Sequence, residues 1–152
     1  MSKKIYIGSD HAGFALKRLV TKFLATEMPA VSFEDLGCHS EESVDYPNFA
    51  DAVGKRVAKE GTLGILICGS GIGMSIAANK VSGIRAAECW DVTSARLSRQ
   101  HNNANILCFG SRLVGQEVAF DMCRIWLTTE FLEGRHQKRI DLITKLEKSE
   151  GK

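Results

Sequence analysis

An α/β fold, a parallel sheet with helices on both faces, is what the chain predicts from three observations. Apolar runs of strand length recur along it, segments of helical period lie between most of them, and no repeat, low-complexity tract or Pro/Ser-rich linker divides it. The strand-length runs fall at 5–7, 31–33, 64–67, 84–89 and 106–109. After the first, Leu16, Leu19, Val20, Phe23 and Leu24 recur at i, i+3, i+4, i+7 and i+8, one face of a helix. Ala50, Val53 and Val57 make a thinner stripe, and Val118, Ala119, Met122, Ile125 and Trp126 repeat the pattern. The stretch "GRHQKRIDLITKLEKSEG" reads as a C-terminal helix over about 134–148, with Ile140, Ile143 and Leu146 inward and a charged tail prone to fray. No strand follows it, so a partner is a natural surface for it to pack on.

Composition narrows the class. The 152 residues, 44% hydrophobic with 14 glycines, suit a single domain over 1–152 with a sizeable core. Twenty basic and 18 acidic residues, net +2, are spread without a basic run, which argues against a nucleic-acid surface or a membrane patch. The apolar run in "MSKKIYIGSD" is too short for a signal peptide and no later run could span a bilayer, so a cytoplasmic location is expected. Cys38, Cys68, Cys89, Cys108 and Cys123 are odd in number, widely spaced and free of a C-x-x-C pair. Reduced thiols fit that pattern better than a disulfide framework or a zinc knuckle.

In a parallel sheet the chemistry belongs in the loops beyond the carboxyl ends of the strands. The first such loop, "GSDHAG", places Asp10 and His11 just before a helix, where Ser9 or Asp10 would also serve as an N-cap and His11 as a solvated first-turn residue. "ILICGSGIGMS" ends an apolar run in Cys68 and then sets Gly69, Gly71 and Gly73 in a G-x-G-x-G loop, suited to close approach of backbone amides to an oxyanion. The spacing fits neither a Walker loop, since Ser70-Gly71 follows where Lys-Ser/Thr is needed, nor the G-x-G-x-x-G dinucleotide fingerprint. Asp91 does stand about twenty residues on, where a ribose-binding acid would. Cys68 itself reads either as a small buried hydrophobe, like the other four cysteines, or as a thiolate base or nucleophile beside loop amides. "SRQHNNANILCFGSRLVG" adds His101 and Asn102 before a strand and Arg112 after it. Arg135 and Arg139, four apart with His136 between them, share a helix face that either clamps a phosphate or is simply solvated.

Six blocks, "GSDHAGFALK", "VDYPNFA", "ILICGSGIGMSIAANK", "GIRAAECW", "LSRQHNNANILCFGSR" and "GRHQKRI", agree in order and spacing with one family. Over about residues 4–146 the chain closely resembles the sugar-phosphate isomerases that include ribose-5-phosphate isomerase B together with galactose-6-phosphate and allose-6-phosphate isomerases. The resemblance implies a Rossmann-like single domain with its C-terminal helix at a dimer interface. It also implies a homodimer, or a dimer of dimers, with active sites between subunits, and no metal or organic cofactor.

The same resemblance assigns roles. Cys68 is the base that moves a proton between C2 and C1 through an enediolate, whose oxygens meet the amides of Gly69, Gly71, Ile72 and Gly73. Ser70 relays a proton between O1 and O2. Asp10 and His11 orient the sugar, with Tyr46 on the wall. His101 opens the furanose ring with Asn102 beside it, and Arg112, Arg135 and Arg139, with His11 and His136, hold the phosphate. Some relatives replace the cysteine by a carboxylate further into the helix; here Cys68 is present and Met74 and Ser75 offer no acid. Two other expectations stand beside ribose 5-phosphate isomerisation: the same chemistry on a hexose 6-phosphate, and a non-catalytic nucleotide module built on the glycine loop and Asp91.

Overall fold

The structure, a computed structural model, describes residues 3–149; the end of the tail, 150–152, lies outside the described residues. The elements alternate as expected: β1 (Lys3–Ser9), α1 (Phe14–Glu27), β2 (Val31–Asp35), α2 (Tyr46–Glu60), β3 (Leu63–Cys68), α3 (Ile72–Ala78), β4 (Ala86–Glu88), α4 (Val92–Asn102), β5 (Ile106–Gly110), α5 (Gln116–Thr128) and α6 (Arg135–Ser149). The five strands pair in parallel in the order β2-β1-β3-β5-β4. The fourth strand is shorter than its apolar run. Asn79, from the end of α3, bonds the Ala86 amide through Oδ1 at 2.8 Å and the Ala86 carbonyl through Nδ2 at 2.9 Å, holding the start of this edge strand.

Successive strand residues feed opposite cores, as the two-residue period requires. Ile5, Ile7, Ile65, Ile67, Leu107 and Phe109 pack with α1 and α5 on one face. Tyr6, Leu66, Cys68, Ile106 and Cys108 pack with α2 and α3 on the other. Each such fully buried aliphatic side chain contributes about 1.5–3 kcal/mol. Among the described residues, no helix is long and apolar enough to cross a membrane.

Four local readings are corrected. Neither Ser9 nor Asp10 caps α1: the Asp10 carboxylate accepts the Gly13 amide at 2.9 Å in a preceding turn, and the helix begins at Phe14. In α1, Leu19 is exposed while Lys17 is fully buried, its ammonium held by Asp35 Oδ1 at 2.5 Å and by the Cys38 carbonyl at 2.6 Å. In α5 Val118 is exposed and Cys123 is buried in its stead. In α6 only Ile140 of the expected inward set is buried; Ile143 and Leu146 are 47% and 65% exposed, although the helix is held at its start by the His101–His136 stack and near its end by Glu147, which accepts the Gly83 amide at 2.8 Å.

Candidate active site

The chain leaves β1 toward β2 on one side and returns to β3 on the other, so the strand order reverses between β1 and β3. A crevice opens at the carboxyl end of such a switch point. There a cavity of about 360 Å³, within the usual range for small-ligand sites, is lined by Asp10, His11, Tyr46, Cys68, Gly69, Ser70, Gly73 and Arg112. Ala12 and Leu113 complete the wall. These two small or apolar neighbours carry no chemical signal of their own, and only adjacency to Asp10, His11 and Arg112 could have marked them.

Three loops are stitched together to form the site. Ser111 and Arg112 donate their amides to the carbonyls of Cys68 and Gly69 at 2.8 and 3.1 Å, tying the loop after β5 to the loop after β3. The Ser111 hydroxyl donates to the Ala12 carbonyl at 2.7 Å, tying it also to the loop after β1. Behind that loop, the Ser9 amide donates to the Gly37 carbonyl and the Cys38 amide to the Ser9 carbonyl, at 2.6 and 2.7 Å. Lys17 and Asp35 hold the segment carrying Gly37 and Cys38, so this partly buried ion pair fixes the end of β1 just before Asp10.

The glycine loop shows why bulk is excluded. Gly71 has φ +86°, and a Cβ there would lie 2.9 Å from the Phe109 backbone. Its amide donates to the Cys68 sulfur at 3.1 Å, a bond that strengthens as charge develops on the acceptor. The Ile72 amide donates to Ser70 Oγ at 3.3 Å. Gly73 lies against the Tyr46 ring, where a Cβ would come within 2.7 Å of Cζ. The Arg112 guanidinium lies across Gly69, bringing a cation to the loop.

Cys68 is the cysteine that faces this cavity. Burial pushes the thiols of Cys89 and Cys123 up to about 11 and about 12, and that of Cys108 well above the ordinary value. Those three are packing residues. Asp10 lines the pocket while almost fully buried, and His11 accepts the Val44 amide on Nδ1 at 3.2 Å, which leaves Nε2 as its donor.

Within one chain, the remaining candidates stand apart. Gly71 and Ile72 shape the loop without lining the cavity. His101 and Asn102 end α4, and Arg135, His136 and Arg139 begin α6; none of these five lines the cavity. The His101 and His136 rings stack 4.4 Å apart, and Arg135 and Arg139 are exposed. Asp91 is spent on structure: it caps α4 by accepting the Ser94 amide at 2.7 Å, in a capping box.

A family model described as Ribose/Galactose Isomerase matches residues 5–143. The chain is 49% identical over 146 residues to ribose-5-phosphate isomerase B of Escherichia coli (strain K12), across 95% of this chain and 97% of that protein. A structure of Clostridium thermocellum ribose-5-phosphate isomerase B superposes with a TM-score of 0.93 at 48% identity, covering 97% of this chain and 99% of that one. A structure of the Mycoplasma genitalium ribose-5-phosphate isomerase B with bound ribulose-5-phosphate superposes with a TM-score of 0.92 at 43% identity, covering 97% and 98%.

Proposed function

Because the chain belongs to the ribose/galactose isomerase family, we propose that it is a sugar-phosphate aldose–ketose isomerase whose switch-point cavity interconverts ribose 5-phosphate and ribulose 5-phosphate. The observation that carries this reading is the position of Cys68: it lines the cavity, its sulfur accepts the Gly71 amide, and it shares the pocket with Asp10, Ser70 and Arg112.

Aldose–ketose exchange needs one base that removes the proton at C2 and returns it at C1. Cys68 does this, and the enediolate that forms between the two transfers is stabilised by amides of the glycine loop, where charge develops in the transition state. Ser70 carries the proton between O1 and O2. Asp10 and His11 fix the sugar hydroxyls, the Tyr46 ring closes the wall, and Arg112 draws the phosphate.

Ring opening and the rest of the phosphate clamp come from a second copy of the chain. His101, Asn102, Arg135, His136 and Arg139 lie outside the cavity of their own chain, while exposed apolar side chains flank both sets: Leu113 and Ile72 at the pocket, Leu142, Ile143 and Leu146 on α6. A homodimer that buries these surfaces sets the His101 end of one protomer over the cavity of its partner. Steady-state rates on ribose 5-phosphate, allose 6-phosphate and galactose 6-phosphate test the substrate assignment; the pentose is expected to be fastest. A higher kcat/KM on either hexose would replace it.

A further inference from the structure

At the opposite end of the sheet, where β1 and β3 begin, lies a cavity of about 630 Å³. Its wall gathers Lys3, Lys4, Arg85 and Arg99 against a single carboxylate, Glu60. Two of these charges are already matched: Lys4 pairs with Glu34 at 3.0 Å, and Glu60 with Arg56 at 3.3 Å. Among the described residues, Lys3, Arg85 and Arg99 form no ion pair.

Their hydrogen bonds go to neutral oxygens instead. Lys3 Nζ donates to the Leu127 carbonyl at 2.9 Å, and Arg85 donates to the carbonyls of Asn102 and Asn103 at 2.9–3.2 Å. Arg99 Nη1 donates to Asn103 Oδ1 and the Ala104 carbonyl at 2.8 and 2.7 Å. Such bonds finish the ends of α4 and α5 but cancel no charge. Arg99 is only 9% exposed, and its buried Nε has no partner. Burial first, then the charge of Arg85, holds Arg99 below the ordinary arginine value. Lys3 is pulled down by burial and then by Arg99, with Glu130 opposing from beyond ion-pair distance; Glu147 does the same for Arg85 against its burial.

Three like charges around one cavity, Arg99 buried, Arg85 half-buried and Lys3 at the rim, with hydrogen bonds only to carbonyl oxygens, favour an anion among them. We propose that this cavity is a second anion site, in which Lys3, Arg85 and Arg99 take a phosphate group, free or as the monoester of a small metabolite. It has no aromatic wall to stack a base, so the phosphate itself is what it recognises. The site also abuts the end of α4 that carries His101, so an occupant is placed to influence ring opening. That consequence rests on the isomerase reading; the binding does not.

The experiment is calorimetric titration of inorganic phosphate, and separately of glycerol 3-phosphate, into Arg112→Ala protein, whose catalytic pocket has lost a cation. About one equivalent per chain is expected to bind, weakened at least tenfold by adding Lys3→Glu and much less by adding Lys22→Glu, which changes net charge equally on α1. Tighter binding of the ester would assign the occupant as a metabolite, and equal or weaker binding as free phosphate; either ranking supports the site. No binding of either ligand, or binding that Lys3→Glu and Lys22→Glu weaken alike or leave intact, would overturn it.

Discussion

The imidazole rings of His101 and His136 lie face to face, centroids 4.4 Å apart and planes 8° from parallel, and so join the end of α4 to the start of α6. His136 is the buried member. Two protonated rings at this separation repel, and the charged side chains that flank His136, Arg135 and Arg139, add to that repulsion. Burial first, then His101 and these two arginines, holds His136 below the usual 6.5.

This geometry adds a pH-dependent contribution to stability on the acid side. With a folded value below the unfolded one, the unfolded chain takes up the proton first as pH falls. The contribution of His136 is therefore complete above about pH 6.5 and is lost as the pH drops from there through its lowered folded value. Urea midpoints measured from about pH 7 down to about pH 5 should fall more steeply in the wild type than in His136→Gln. Equal slopes would mean that the stack carries no such penalty.

Cys68→Ala should leave the fold and sugar-phosphate affinity nearly intact, because Arg112, Asp10 and the loop amides remain. Turnover should fall by about 10²- to 10⁴-fold, the usual reach of a positioned base. Cys68→Ser should recover little, since a hydroxyl is a far weaker base at neutral pH. Near-wild-type kcat in Cys68→Ala would reduce the thiol to a packing group.

How much of this could be read from sequence depended on how local each signal was. The strands and the G-x-G-x-G loop are encoded in runs of a few residues, so the position of that loop after a strand followed from pattern; its place beside the loop carrying Asp10 depends on the pairing of β1 with β3, which no local run encodes. The role of Lys17 was hidden because a lysine beside an apolar stripe reads as surface; only the approach of Asp35 and Cys38, residues distant in sequence, makes burial of its ammonium tolerable. Asp91 had the separation of a ribose ligand, but a Ser three residues later turned it into a helix cap. The exposure of Ile143 and Leu146 was illegible for a related reason. A helical stripe states that a face is apolar, not which surface, in the same chain or another, will cover it.

Tyr46 and Gly73 offer a test of fit within the pocket. Gly73→Ala places a methyl group 2.7 Å from Tyr46 Cζ, so the ring must leave its present place on the pocket wall. A loss of about tenfold or more in kcat/KM is expected. In a Tyr46→Ala background the same change should cost much less, since residues in contact show interaction energies of about 0.5–3 kcal/mol. Strict additivity of the two substitutions would show that the ring and the loop act independently.

The separation of Cys68 from Arg135 and Arg139 leads to the most direct test of a shared site. If each cavity is completed by the partner, Cys68→Ala damages the site that the chain itself builds, whereas Arg135→Ala combined with Arg139→Ala damages the site built by its neighbour. Each variant homodimer is then inactive, the second mainly through loss of kcat/KM and of inhibition by inorganic phosphate. Mixed after subunit exchange in equal amounts, half of the dimers are heterodimers. In each of these, one cavity has both defects and the other has none. Activity should therefore return to about a quarter of the wild-type level per chain, by the statistics of random pairing in a two-fold dimer. The recovery should follow the exchange in time and vanish if the dimers are cross-linked before mixing. No recovery, in a mixture that native mass spectrometry shows to contain heterodimers, would place Cys68 and the two arginines in the same chain's site or remove the arginines from catalysis.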